Sequence, residues 1–271
     1  MEEKEPIKLD VDGVVRSKMK GKLLPKPIMR FLKKILHEDD FNKFFKEHPN
    51  DEDFDFIREV LKMFKVNYTI EGIDNLPSNA SRLMFASNHP LGGMDGMILA
   101  LALGEYRNFN VKVIVTDFLM AIKPLNGIFV PVNKVGAQSR EYARKIEELY
   151  DSDVDILTFP SGKCSRKING KIQDPEWMKN FIRQSVKHKR DIVPIYFEGQ
   201  NSKFFYNLAL WRQRLGIKLN IEMLFLADEM WKNAGKTFHI KIGKPISYTT
   251  FDNSKKPQQW AAWMREKTYS L

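Results

Sequence analysis

The chain has 271 residues, a formal net charge of +10 and 43% hydrophobic residues, which excludes a disordered polycation and allows one large domain or two small ones. Its single cysteine, Cys164, excludes a disulfide framework and a multi-cysteine zinc site and fits a reducing cytosol. The longest apolar run, residues 97–103, is far shorter than the roughly 20 residues of a spanning helix, and the N-terminus carries no secretory signal. We therefore expect a soluble, cytoplasmic, basic protein.

The positive charge is concentrated in two segments. Between Arg16 and Lys34 there are eight basic residues and no acid, and between Lys163 and Arg190 nine basic residues accompany two acids. Because the two segments together carry +15, the rest of the chain is net acidic by five. This polarity predicts a surface that faces a polyanion, although a charge run by itself is more often a solvated surface.

In chain order, residues 1–12 resemble a loose tail, and a basic linker leads to helices at about 27–36, 40–48 and 52–64. The first helix is amphipathic, with Ile28 and Leu32 on one face and Lys34 on the other. Such a helix can lie in a membrane interface, or its apolar face can pack on the core, and both interpretations stay open. The residues predicted to dock on an anionic membrane are Lys26, Arg30, Phe31, Lys33 and Lys34.

From residue 66 onward, short apolar runs alternate with helix-like segments. Runs of this kind are typical of strands buried on both faces of a parallel sheet. The pattern predicts an α/β fold: a single domain with a mostly parallel central sheet flanked by helices, preceded by an N-terminal basic amphipathic helical segment. We expect residues 1–65 to form the tail and membrane-docking segment and residues 66–271 to form the core. The predicted strands are 83–87, 111–116, 129–132, 156–159, 192–197, 221–226 and 239–243, and the predicted helices are 95–103, 138–150, 175–189 and 257–267.

Two loops follow predicted strands, at residues 88–96 and 160–166, where parallel sheets bind ligands. The first contains His89 and, six residues later across a Gly-Gly turn, Asp95. A carboxylate that orients an imidazole can make it the general base for a hydroxyl. On spacing alone, a His-Pro turn capped by a helix N-terminal Asp is an equally good interpretation. The second loop suits an anion, because it is rich in backbone N–H groups and flanked by Lys163 and Arg166.

Four sequence blocks occur in order between residues 83 and 197. They are the segment NHPLGGMDG from Asn88, the segment GIFVPVNK that ends at Lys134, the segment FPSGKCSR that ends at Arg166, and the strand IVPI that contains Pro194. In type and order these blocks resemble those of the glycerolipid and lysophospholipid acyltransferase superfamily, which includes the 1-acylglycerol-3-phosphate acyltransferases. The N-terminal helices and the HPLGGMDG variant further resemble the branch that includes bacterial ornithine- and glycine-lipid O-acyltransferases.

The resemblance implies an O-acyltransferase that moves a fatty acyl group from acyl carrier protein or coenzyme A to the hydroxyl of a lyso-lipid. In such an enzyme His89 is the general base and Asp95 orients it, with no metal or cofactor besides the acyl thioester. It further implies a peripheral position on the inner face of the membrane, and it disfavours nucleic acid as a partner. The implied acceptor-binding residues are Asn133, Lys134, Ser161, Gly162, Lys163, Arg166 and Pro194.

The chain departs from the family pattern at three points. The spacing from His89 to Asp95 is one residue longer, although Gly92 and Gly93 can absorb it. Ser161 stands where the family has Glu, and Cys164 stands where an Arg typically holds the acceptor's phosphate. Because a neighbouring lysine does not restore a planar bidentate clamp, we expect an acceptor other than a simple phosphate, such as a lyso-aminolipid hydroxyl.

Other interpretations stay open at the level of sequence. A catalytically inactive polyanion or membrane binder could keep the fold, and an acyl-ester hydrolase could use the same dyad. Cys164 could act as a nucleophile, because adjacent cations would lower its pKa, although no base is placed to serve it. The aromatic residues between 204 and 211 could stack on bases or bind acyl chains, although such a group is more often a helix face packed on the core.

Overall fold

A computed structural model describes residues 7–18, 24–77, 82–132 and 139–271 of the chain. The elements alternate between helices and strands over most of this length. The helices are α1 (Val11–Lys18), α2 (Lys26–Ile35), α3 (Glu38–Glu47), α4 (Asp53–Met63), α5 (Met94–Tyr106), α6 (Ser139–Asp151), α7 (Asn180–His188), α8 (Lys203–Arg214), α9 (Leu226–Lys232) and α10 (Pro257–Tyr269). The strands are β1 (Asn67–Glu71), β2 (Met84–Ser87), β3 (Val111–Thr116), β4 (Phe129–Val132), β5 (Asp155–Thr158), β6 (Arg166–Ile168), β7 (Lys171–Gln173), β8 (Ile192–Glu198) and β9 (Thr237–Ile242).

The chain divides by packing into two compact units. The helical unit is the chain up to Asp51 together with Asn201–Ala234, and the sheet unit is Glu52–Gln200 together with Gly235–Leu271. This division differs from the predicted ranges 1–65 and 66–271, because α4 packs on α5 in the sheet unit and the helical unit includes a second segment from the middle of the chain. The membrane-docking role of the first range stays a prediction.

The larger sheet has seven strands in the order β1-β9-β8-β2-β5-β3-β4. Its neighbouring strands are parallel, except that β8 and β9 are antiparallel. The helices α5, α6 and α10 pack on strands β3, β4 and β8 respectively. The predicted fold class, a mostly parallel sheet flanked by helices and preceded by a basic helical segment, is confirmed.

Strand β2 is buried at the centre of the sheet, between β5 and β8. Because these three strands run parallel, the loops that leave their carboxyl ends meet at one edge of the sheet. A buried cluster that includes Met84, Trp177 and Met264 joins β2 to the segment before α7 and to α10. The sheet therefore brings three of the four sequence blocks to the same place.

The structure corrects one predicted strand and adds elements that the sequence pattern did not indicate. The predicted strand at 221–226 is a 3-10 helix, Ile221–Phe225, followed by α9. A short apolar run does not distinguish a strand from a buried helical segment, and here Glu222 is buried in an ion pair with Arg212. The elements not predicted include β1, α1, which covers part of the predicted tail, and the antiparallel hairpin of β6 and β7.

Arg190, which ends the second basic segment, is fully buried at the start of β8. Burial lowers the pKa of its guanidinium to about 10. The guanidinium donates to four backbone carbonyls at the end of α6 and in the turn before β5, at 2.6 to 3.0 Å: those of Leu149, Tyr150, Ser152 and Val154. Arg190 therefore closes the corner between α6 and the sheet, and its charge does not contribute to a surface for polyanions.

Replacing Arg190 by Met is expected to lower the free energy of unfolding by about 3–5 kcal/mol, because four backbone carbonyls each lose a hydrogen bond from a buried guanidinium. Urea denaturation followed by circular dichroism measures the change. The control is Arg183→Met at an exposed position on α7, which is expected to stay within about 0.5 kcal/mol of the parent. An Arg190→Met protein as stable as the control would contradict this account.

Candidate active site

The loop after β2 is tied to β8 by the side-chain amide of Asn88. This amide donates to the carbonyl of Phe197 at 3.0 Å and accepts from the N–H of Phe197 at 2.7 Å. A carboxamide that uses both its donor and its acceptor on one residue fixes the orientation of its own backbone. Asn88 therefore holds the next residue, His89, at the carboxyl edge of the sheet.

His89 and Asp95 form the dyad that the spacing allows. The Nδ1 atom of His89 lies 3.0 Å from Oδ2 of Asp95, at the beginning of α5. The Asp95 carboxylate is fully buried and also accepts from the backbone N–H groups of Leu91 and Gly96. The extra residue in the loop is accommodated by Gly92, whose φ of +82° favours glycine.

The other ring nitrogen of His89, Nε2, has no hydrogen-bond partner in the described residues. The His89 side chain is 17% exposed, and its ring stacks on Phe159 with centroids 4.2 Å apart. With Nδ1 held by a carboxylate, the proton sits on Nδ1, and Nε2 is the proton acceptor. The arrangement presents a basic nitrogen at a small opening in an otherwise buried site.

The pKa of His89 is raised above its ordinary value. Burial lowers this pKa, but the charge and hydrogen bond of Asp95 outweigh burial, and a second carboxylate, Asp174, adds to the effect. The guanidinium of Arg166 opposes them. Two carboxylates therefore favour the protonated imidazole, which is the state that follows proton abstraction.

Asp174 is a residue of the site that the sequence analysis missed. Its carboxylate is fully buried and accepts from the backbone N–H of His89 at 3.1 and 3.2 Å. It also accepts from the hydroxyl of Ser165 at 2.6 Å and from the indole N–H of Trp177 at 3.0 Å. Burial raises the pKa of Asp174, and these donors oppose that increase. Asp174 is therefore a positioning residue for the backbone of His89.

The hairpin of β6 and β7 brings Asp174 to the site. Asn169 and Gly170 form its two-residue turn, both with positive φ, and an Asn-Gly pair of this kind is the sequence signal for a tight hairpin. The hairpin returns the chain so that Asp174 meets Ser165, whose own N–H donates to the carbonyl of His89 at 2.7 Å. From α10, the Tyr269 hydroxyl accepts from the N–H of Asp174 at 2.8 Å.

The predicted acceptor loop after β5 is a tight turn. The hydroxyl of Ser161 is directed into the turn and donates to the carbonyl of Lys163 at 2.6 Å, so it shapes the loop. Gly162 has a φ of +59°, and a Cβ atom there would lie 2.9 Å from the Met178 side chain. The Lys163 side chain is exposed. In this loop, Lys163 is the residue that is free to reach an anionic acceptor.

Arg166 places a buried guanidinium beside Cys164. Its guanidinium is buried and lies 2.8 Å from Sγ of Cys164 and 2.9 Å from the carbonyl of Cys164. A guanidinium therefore contacts the side chain that stands at the family's Arg position. Burial raises the pKa of the Cys164 thiol, although Arg166 opposes this. This direction argues against the interpretation of Cys164 as a nucleophile, since the thiolate is the reactive form.

The remaining predicted acceptor residues differ in what the structure shows of them. Pro194 is buried in β8 opposite Ala86 of β2, and its carbonyl accepts from the N–H of Gly243 at 2.9 Å. It therefore stabilises the strand beside the loop that carries His89. Asn133 and Lys134 lie outside the described residues, and their role stays a prediction.

The predicted membrane-docking residues lie on α2. Lys26, Arg30 and Lys34 are exposed, and the ring of Phe31 is 51% exposed. Lys33 instead contacts the carboxylates of Asp12 and Glu38, which neutralise its charge. Within the part of the chain that the structure describes, no helix is long and apolar enough to cross a membrane.

The pKa of His89 gives a direct test of the dyad. Replacing Asp95 by Asn is expected to lower the pKa of His89, because burial then acts without the main opposing charge. Asp174→Asn is expected to lower it by less. Titration of the imidazole by NMR measures both changes, with the exposed His239 as an internal control. A His89 titration unchanged in Asp95→Asn would refute the electrostatic account.

Comparison with known proteins identifies the family. Residues 15–271 match the family model described as acyltransferase. A lyso-glycine lipid O-acyltransferase of Phocaeicola vulgatus is 44% identical over 265 residues, which cover 97% of this chain and 95% of that protein. The protein of the same name from Bacteroides thetaiotaomicron is also 44% identical over 265 residues, with 97% of each chain covered. The crystal structure of the 1-acyl-sn-glycerophosphate acyltransferase PlsC from Thermotoga maritima aligns at a TM-score of 0.47 and 15% identity, over 95% of this chain and 87% of that one. The resemblance found in the sequence blocks is confirmed: the chain belongs to the acyltransferase family.

Proposed function

We propose that this enzyme transfers a fatty acyl group from an acyl thioester to the hydroxyl of a lyso-aminolipid, with a lyso-glycine lipid as the acceptor, and that His89 is the general base. The observation that carries the proposal is the 3.0 Å contact between Nδ1 of His89 and the buried Asp95 carboxylate, which leaves Nε2 as the accepting nitrogen. The two relatives at 44% identity, both named lyso-glycine lipid O-acyltransferases, support the acceptor class.

The dyad performs the transfer without a covalent enzyme intermediate. Nε2 of His89 accepts the proton of the acceptor hydroxyl while the hydroxyl oxygen attacks the thioester carbonyl carbon. The tetrahedral intermediate collapses, the carbon–sulfur bond breaks, and the imidazolium returns the proton to the departing thiolate. Asp95 stabilises the imidazolium throughout, in the way that a triad carboxylate does. The products are an ester and a free thiol, so atoms and protons balance.

The third block favours a carboxylate headgroup over a phosphate. A glycine headgroup offers one carboxylate with a single negative charge, whereas a phosphate monoester carries up to two charges and suits a bidentate guanidinium. Here the guanidinium of Arg166 is turned towards the backbone and the thiol of Cys164. The exposed cation of the turn is the single ammonium of Lys163. This weaker anion site is consistent with the smaller charge of the glycine carboxylate.

The hairpin beside the catalytic loop suits a polyanionic donor. Lys167 and Lys171 are exposed on β6 and β7, and both acyl carrier protein and coenzyme A are acidic. We propose that the thioester approaches from this side and that the acceptor approaches from an anionic membrane. The enzyme would then act as a peripheral protein on the inner face of the membrane, where both substrates are available.

Replacing His89 by Ala is expected to lower kcat/KM for acyl transfer roughly 1,000-fold, because the hydroxyl loses its base. In the parent enzyme, kcat/KM is expected to rise with pH, with its inflection above the ordinary imidazole value of about 6.5, since the neutral ring is the base and the carboxylates raise its pKa. The control is His239→Ala on β9. Full activity of a folded His89→Ala enzyme would overturn the mechanism and favour a different base.

The acceptor assignment is tested with a panel of lyso-lipids and labelled acyl thioesters. The expected result is at least a roughly tenfold higher kcat/KM for lyso-glycine lipid than for lysophosphatidic acid, which corresponds to a difference of about 1.4 kcal/mol in transition-state binding. Lys163→Gln is expected to lower kcat/KM for lyso-glycine lipid, because the turn loses its exposed cation. Faster acylation of lysophosphatidic acid would refute the acceptor class, and release of free fatty acid without any acceptor would show a hydrolase.

A further inference from the structure

Helix α8 in the helical unit has two apolar faces, and one of them points to solvent. Phe205, Tyr206 and Ala209 are buried within the unit. A second apolar row consists of Phe204, Leu208, Trp211 and Leu215, which follow one another at helical spacing. In this row Trp211 is 66% exposed and Leu215 is 70% exposed. An amphipathic helix needs only one apolar face to pack on its core. This second, exposed row therefore indicates contact with another partner.

The loop after α8 is tied down by Arg212 and exposes two leucine side chains. Arg212 forms a buried two-point ion pair with Glu222, at 2.7 and 3.2 Å, and donates to the carbonyl of Ile217 at 2.9 Å. Gly216, with a φ of +67°, turns the chain at the end of the helix. Leu219 is 71% exposed at the far side of this turn. The exposed leucines are therefore carried by a loop whose backbone is anchored to Arg212.

The charged side chains of the segment that carries this row are all positive. Residues 199–221 contain no Asp or Glu. Lys203, Arg214 and Lys218 are exposed, and no carboxylate pairs with them among the described residues. On a helical projection Lys203 and Arg214 border the apolar row on one side. An apolar row with an exposed tryptophan and a cationic border is typical of a helix that lies in an anionic lipid interface.

Aromatic contacts connect this row to α2, the predicted docking helix, within the same unit. The ring of Phe225 contacts Phe204 on α8 at a centroid distance of 5.0 Å and Phe31 on α2 at 6.1 Å. Ile28 and Phe31 are both partly exposed on α2. The exposed apolar side chains of α2 and α8 thus form one surface, which we call the apolar surface of the helical unit. Its exposed aromatic and aliphatic side chains and its cationic border match the interface of an anionic bilayer.

We propose that α8 and the loop to Leu219 insert Trp211, Leu215 and Leu219 into the interface of an anionic bilayer and make the main apolar contact of the enzyme with the membrane. This inference rests on the proposed function in one respect, since a lyso-lipid acceptor resides in such a bilayer. It differs from the sequence prediction, which assigned docking to the N-terminal helices alone. In this arrangement the cations of α2 attract the anionic lipid headgroups, while the apolar side chains of α8 insert.

The experiment measures binding of the whole chain to vesicles of phosphatidylcholine with phosphatidylglycerol, and to vesicles of phosphatidylcholine alone, by co-sedimentation. Trp211→Gln/Leu215→Gln is expected to weaken binding to the anionic vesicles roughly 30-fold or more, because two large exposed apolar side chains no longer insert. Arg214→Gln/Lys218→Gln is expected to weaken it about fivefold per cation and to reduce its salt dependence. The matched control is Tyr106→Gln/Val186→Gln, which changes two exposed apolar residues of the sheet unit.

A second measurement locates the tryptophan directly. The emission of Trp211, taken as the difference between the parent and Trp211→Phe, is expected to be quenched by lipids brominated on their acyl chains. The charge substitutions and Trp211→Gln/Leu215→Gln alter only exposed side chains, so thermal unfolding is expected to stay close to that of the parent. Binding is measured without thioester or acceptor, so a chain that binds vesicles but transfers no acyl group would refute the proposed function alone.

Three outcomes would overturn the inference. Vesicle binding unchanged in Trp211→Gln/Leu215→Gln would show that α8 does not insert. If the parent is a dimer, the variant is a monomer and both bind vesicles equally well, the apolar surface contacts a second copy of the chain instead. Loss of affinity for single-stranded nucleic acid in the variant, with vesicle binding retained, would assign it to base stacking.

Discussion

The buried carboxylate of Asp174 is the interaction on which the candidate active site depends. A charge without solvent is tolerated only when donors surround it, and the donors here come from three segments: the loop after β2, the turn after β5 and the segment before α7. His89 lies 85 residues before Asp174 in the chain, whereas Ser165 and Trp177 are close to Asp174 in sequence. Satisfying this one carboxylate therefore fixes the loop after β2 against the segment that contains Asp174. The backbone of His89 is one of the groups that it fixes.

Two carboxylates hold His89 in the candidate active site. Asp95 contacts the imidazole itself and leaves Nε2 as the ring nitrogen that can accept a proton, whereas Asp174 contacts only the backbone N–H of the same residue. Both favour the imidazolium electrostatically. A base supported in this way is oriented before substrate arrives, so little reorganisation is needed in the transition state.

The sequence predicted correctly those features of the fold and the site that short segments and their order along the chain determine. The dyad, the tight turn after β5 and the parallel sheet follow from short segments whose spacing can be read directly. Asp174 could not be found in this way, because its role depends on a hairpin that was not predicted and on a strand 85 residues earlier in the chain. The Asn169-Gly170 pair was the available signal for the hairpin.

The second basic segment was misleading in part, since Arg166 and Arg190 are buried among carbonyls. The two faces of α8 were also inaccessible to pattern analysis, because both are apolar and only packing distinguishes them.

The hydroxyl of Tyr269 has a consequence for the order in which the enzyme acquires its activity. Both residues of the dyad are present once the chain has been made up to Asp95. The hydroxyl that accepts from the backbone N–H of Asp174 belongs to Tyr269, which lies 95 residues after Asp174. Contacts of such long separation form late, both on release from a ribosome and in refolding. A growing chain therefore completes its N-terminal helices and both residues of the dyad well before the hydroxyl that contacts the backbone of Asp174 has been made. Assembly of the site in this order delays acylation until the chain has folded as a whole.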